Sequence, residues 1–110
     1  NDHRNYNRDG SAFDVGETFS GVDYETGLAA AAEFAALVAA LPEELTPAQA
    51  ALAWVAQIEG VSAVIPGARS VQQARGNAAA GSVAPLSLAF NEGVQDIYDR
   101  MLRDQIHPRW

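Results

Sequence analysis

"VSAVIPGARSVQQARGN", residues Val61 to Asn77, decides how the rest of the chain reads. Its first six residues, 61–66, are β-branched or small with no strong polar alternation, the pattern of a short buried strand. Pro66-Gly67 stops that run, and Arg69 follows. Ser70 then stands where a helix N-cap belongs, with Gln73 three positions on to complete a capping box. Upstream, "LTPAQAALAWVAQIEG" opens a helix in the same way: Thr46 as N-cap, Pro47 at the first helical position, Gln49 three after the cap, and Gly60 to end it. Helix, strand and helix in this order belong to a parallel α/β sheet. A single strand cannot satisfy its own backbone groups, so the pattern predicts partner strands outside this chain.

Working outward, "YETGLAAAAEFAALVAA" (24–40) is alanine-rich, and alanine is the best helix former. Leu28, Phe34, Leu37 and Val38 supply its bulk. In the helix after Thr46, Leu52, Trp54, Val55 and Ile58 fall on more than one face, which predicts burial on two sides. Beyond "GSVAP", Ser87 caps a closing helix over 87–104. Phe90, Val94, Ile97, Tyr98, Met101 and Leu102 recur there at i, i+4, i+7, i+8, i+11 and i+12, a one-sided apolar stripe. "IHPRW" is a tail. Residues 1–23 show no sustained period, and Asp9-Gly10 marks a turn in a long loop, with Tyr6, Phe13 and Phe19 along it. The chain opens on Asn1 rather than Met, and the expectation is a fragment, mostly helical with one parallel-type strand.

Composition removes several function classes. All seven basic residues are arginine, so a Schiff-base or phosphate-loop lysine is excluded. The absence of cysteine removes disulfides, thiolate nucleophiles and cysteine-based zinc sites. A formal charge of −7 argues against nucleic acid or an anionic membrane as partner. No run of about eighteen apolar residues and no signal-peptide pattern occurs, so the expected compartment is the cytoplasm.

One place suggests chemistry. A strand end, Pro66-Gly67 and a capped helix start aim free backbone N–H groups and the positive end of a helix at one spot. Arg69 precedes the cap, Gln73 and Asn77 lie four residues apart on the helix, and Gly67 admits close approach to the backbone. Together they describe an anion site, a phosphate site above all. The plainer alternative is a glycine-containing βα turn beside a solvated arginine. His3 and His107 have no ligand spacing and read as surface or packing residues. Asp2, Asp9, Asp14, Glu17 and Asp23 make the first loop acidic without pairing an acid and a base. Trp54 and Tyr98 read as core. Neither a G-x-G-x-x-G nor a G-x-x-x-x-G-K occurs, and no catalytic or metal-ligating set can be assembled.

"IPGARSVQQARGN" resembles the cofactor signature near the C-terminus of the aldo-keto reductase family. "TPAQAALAWV" is similar to that family's seventh barrel helix and "VSAVIPG" to its eighth strand. "HRNYNRDGSAFDVGETFSGVDY" resembles a long loop found after strand seven in one bacterial branch. The resemblance implies a (β/α)8 barrel, of which residues 1–110 are the C-terminal part: loop 1–23, helices 24–59, last strand 61–66, cofactor-phosphate helix 70–80 and closing helix 87–104. It implies an NADPH-dependent reductase of aldehydes and ketones, with Gly67, Ala68 and Arg69 near the adenosine 2′-phosphate and Gln73 and Asn77 at the adenosine end. The planar donor fork of an arginine suits a phosphate and favours NADPH over NADH. Gly76 departs from the glutamate usual before that asparagine. The family's catalytic tyrosine, lysine, aspartate and histidine come from the first half of the barrel. A chain without lysine cannot hold that tetrad, so Tyr6, Tyr24 and Tyr98 are not promoted to it and the isolated chain is expected to be inactive. Its expected partner, in the full-length protein, is a small carbonyl substrate. The alternative is a stand-alone helical interaction module without enzymatic activity, which would bury exposed apolar residues by self-association.

Overall fold

A computed structural model of the chain describes residues 21–109. Most of the expected loop 1–23, with Tyr6, Asp9-Gly10, Phe13, Phe19 and His3, lies outside the described residues. Among these described residues four helices of ten residues or more form: α1 Tyr24–Ala39, α2 Pro47–Ala56, α3 Val71–Ala80 and α4 Leu88–Ile97. A π-helical turn, Tyr98–Leu102, leads into a short α5, Arg103–Ile106, and a 3-10 turn, His107–Arg109. Two compact units divide the chain, one taking in residues up to Phe34 and from Val94 onward, the other Ala35–Gly93.

Each helix begins where a side chain can take an orphan N–H. At α1, Asp23 Oδ2 accepts from the Thr26 N–H at 2.8 Å and Oδ1 accepts from the Thr26 hydroxyl at 2.9 Å. These bonds from Thr26, backbone first, hold the exposed Asp23 carboxyl below its ordinary range. At α2 the box is reciprocal: Thr46 Oγ1 accepts from Gln49 N–H, and Gln49 Oε1 accepts from Thr46 N–H, both at 3.1 Å. Ser87 Oγ accepts from Phe90 N–H at 3.1 Å at the head of α4.

In the second unit α2 packs on α3. Small side chains allow this: Ala50, Ala53 and Ala80 are buried, and Gln49 Nε2 donates to the Gly76 carbonyl at 3.3 Å. Val38, Leu86 and Phe90 complete that unit's buried apolar set. The 81–87 connection is fastened by Gln57, whose Nε2 donates to the carbonyls of Val83 and Ala84 at 3.3 and 3.2 Å. Its Oε1 accepts from Leu86 N–H at 2.9 Å. In the first unit Ala30 and Ile97 are buried. Arg100 bridges Glu33 at 2.6 Å and Asp96 at 2.7 Å, which raises the guanidinium pKa beyond its ordinary value, Glu33 contributing most. Asp23 N–H donates to Gln105 Oε1 at 2.9 Å, tying the α5 turn to the head of α1.

Three features among the described residues differ from the pattern read in the sequence. No β-strand forms among the described residues, and 61–66 has no regular secondary structure, with Ile65 95% exposed. The reason is elementary: a strand exists only as one side of a ladder, and no described segment supplies the other side. Among the described residues nothing covers Val55 of α2 or Ile58 just beyond its end, and both are exposed, as is Leu28 of α1. The closing helix is not continuous over 87–104. A π-type bond from Arg103 N–H to the Tyr98 carbonyl interrupts it, inserting a residue and turning the following side chains by about 100° around the axis. The apolar stripe survives: Phe90 and Ile97 are buried, and Val94, Tyr98, Met101 and Leu102 are half-buried.

Candidate anion site at the head of the third helix

The stretch that suggested chemistry folds as a loop fastened to its own helix. Ser70 caps α3 by accepting from the Gln73 N–H at 3.0 Å. Gln73 Oε1 does not turn back to the cap residue. It accepts from the N–H of Arg69, one residue earlier, at 2.6 Å. Asn77 Nδ2 donates to the Gly67 carbonyl at 3.1 Å. The structure therefore brings Gly67, Arg69, Gln73 and Asn77 into one bonded cluster, with Ala68 exposed between the first two.

What remains free points one way electrostatically. Among the described residues the N–H groups of Ser70, Val71 and Gln72 have no partner, as expected for the first turn of a helix. The Arg69 guanidinium is exposed and likewise has no carboxylate partner there, whereas Arg100 and Arg103 are both paired. The sequence explains the contrast. Of fourteen carboxylates, none lies between Gly60 and Asn91, and this stretch holds both Arg69 and Arg75. A locally cationic segment thus sits inside a chain of net charge −7. Gly67 leaves open space where a Cβ would stand. Backbone donors and a guanidinium fork that meets no carboxylate among the described residues form a donor set suited to a phosphate ester.

A family model described as the aldo/keto reductase family matches residues 1–99. The chain belongs to that family. Its members are oxidoreductases, and membership implies a (β/α)8 barrel. No curated protein and no solved structure is matched by the chain at a significant level.

Other candidates stay apart from this cluster. Tyr98 Oη lies 3.0 Å from His107 Nδ1, with the rings edge to face at 6.2 Å, so His107 packs against its neighbouring helix turn. Among the described residues no group of three metal-ligating side chains assembles, and no helix is long and apolar enough to cross a membrane. Sequence reasoning missed three things: the bridge from Gln49 to Gly76, the Gln57 clasp, and the carboxylate-free stretch around Arg69. The last was open to a simple charge count along the chain.

Proposed function

We propose that this chain is the C-terminal portion of an NADPH-dependent reductase of aldehydes and ketones from a bacterial, cytoplasmic branch of the family. In this proposal it grips the cofactor's adenosine 2′-phosphate. The observation that supports this most directly is the Arg69 guanidinium, without a carboxylate partner among the described residues, beside three N–H groups at the head of α3 that also have none there. Arg69 takes the phosphate through its planar fork, the free N–H groups add neutral donors, and Gly67 and Ala68 let the nucleotide approach the backbone. Gln73 and Asn77 border the adenosine end. When bound, NADPH supplies the hydride that reduces a small carbonyl substrate. Groups that activate the carbonyl belong to the rest of the barrel, so the chain alone has no reductase activity. The family match does not favour a stand-alone interaction module.

The test is calorimetric titration of NADPH and NADH into the chain and into Arg69→Ala. Tighter binding of NADPH, with the preference lost in the variant, supports the proposal. Negligible binding of both removes cofactor binding from this chain.

A further inference from the structure

We infer that the 110-residue chain pairs with a second copy of itself through residues 61–65, in antiparallel register about Ala63. The segment "VSAVI" is β-prone and carries no charge, yet it has no ladder. Its backbone is open. Val61 N–H donates to the Ile58 carbonyl at 3.1 Å, closing the turn that leads into the segment. Beyond that bond, the N–H groups of Ser62 to Ile65 and the carbonyls of Val61 to Ile65 have no partner among the described residues. Val61 and Val64 are half-buried, whereas Ser62, Ala63 and Ile65 are exposed. The segment thus has part of its apolar surface covered already and offers the rest outward. A row of unpaired donors and acceptors on such a segment is a template for a further strand.

Register and charge select a second copy as the occupant. Antiparallel pairing about Ala63 sets Val61 opposite Ile65, Ser62 opposite Val64, and Ala63 opposite its own copy. Each end then gains a cross-strand pair of β-branched side chains, and Ile65, 95% exposed, is covered by Val61 of the other copy. Pro66 has no N–H to donate and bounds the ladder at Ile65. A chain of net charge −7 repels its copies, but residues 60–91 hold no carboxylate. Copies joined at 61–65 therefore meet where that repulsion is weakest, and the antiparallel register sends the two Arg69 residues to opposite ends. The strands of a full barrel would claim the same edges, so the pairing is a property of this chain by itself and does not depend on the cofactor reading.

The experiment is sedimentation equilibrium of the full 110-residue chain over a range of concentrations. The expected mass rises with concentration to twice that of one chain. Ala63→Lys sets like charges directly opposite each other and should raise the dimer dissociation constant by about two- to fivefold, the range of one cross-strand pair. Ala63→Glu should do the same. Mixed in equal amounts, the two variants should associate more tightly than either alone, because only a residue on the symmetry axis meets its own copy. Leu88→Lys carries the same net charge as Ala63→Lys at an exposed position outside the segment. It should not weaken the dimer, and circular dichroism should show the helices intact in every variant. A chain that stays monomeric, an unchanged constant in Ala63→Lys, an equal loss in Leu88→Lys, or a Lys–Glu mixture no tighter than its components overturns the inference. Each of these results leaves the cofactor proposal standing, since that is read separately by titration with NADPH.

Discussion

Replacing Gly76 by alanine should stabilise the protein, and the size of the gain follows from where the glycine sits. Gly76 lies inside α3, where glycine is less favourable than alanine by about 1 kcal/mol. Its φ is negative, because Gly60 is the one glycine with positive φ among the described residues, so alanine meets no backbone strain. A Cβ built there stands 3.8 Å from Gln49 Nε2, an ordinary van der Waals contact, and the bond from Gln49 to the Gly76 carbonyl is untouched. The gain is therefore the helix term, about 0.5–1 kcal/mol, much of it from lost freedom in the unfolded chain. For a chain of this size that is a rise in Tm of about 2–8 °C. Gly93 is the control. It is also helical, but a Cβ there lies 2.9 Å from both Leu37 δ carbons, so Leu37 must move and the helix gain is offset. Urea unfolding followed by circular dichroism measures both variants. If Gly76→Ala is neutral or destabilising while Gly93→Ala stabilises, the account of how α2 meets α3 and α1 meets α4 is wrong.

Other outcomes follow from single contacts. Asp23 has its carboxyl pKa lowered in the folded chain, so its stabilisation of α1 is fully present above about pH 3.8, the ordinary aspartate value, and is lost as pH falls through the lower folded value. Protection of the Thr26 amide should fall with acid in that window, and Asp23→Asn should abolish the pH dependence. Gln57→Ala leaves the half-buried Leu86 N–H without its acceptor, at a cost of about 1–3 kcal/mol, read as a lower urea midpoint. Arg100→Met removes both carboxylate contacts of an exposed side chain. Its effect on Tm should shrink in about 1 M salt, where the Debye length is about 3 Å; a salt-independent loss would point to packing by the arginine stem instead.

How much was legible in the sequence depends on the range of the interaction. The Thr46–Gln49 box and the Ser70 and Ser87 caps span three residues, and each was readable because its partners are fixed by helix geometry alone. The apolar stripe from Phe90 to Leu102 was readable for the same reason, since periodicity reports a face before anything covers it. The Gln57 clasp was not: it joins residues 26 to 29 positions apart, and nothing in glutamine's identity says which turn it will reach. The π turn at Tyr98–Leu102 also left no trace in the periodic pattern, because the stripe residues before it are buried or half-buried and Tyr98, Met101 and Leu102 within it are half-buried.

The segment 61–66 and the loop 67–70 show the two regimes side by side. A strand's stability resides in a partner, so a β-prone sequence without one gains nothing from its composition and leaves Ile65 in solvent. The loop that follows is closed by partners of its own, through Ser70, Gln73 and Asn77, all within ten residues of Gly67. Its geometry therefore needs no sheet to define it, although a sheet is what would carry it to a substrate. This separation explains why the loop at the head of α3 is well defined in a chain whose described residues form no strand. On the proposed reading, a ladder partner for 61–66 would orient the loop 67–70 rather than shape it.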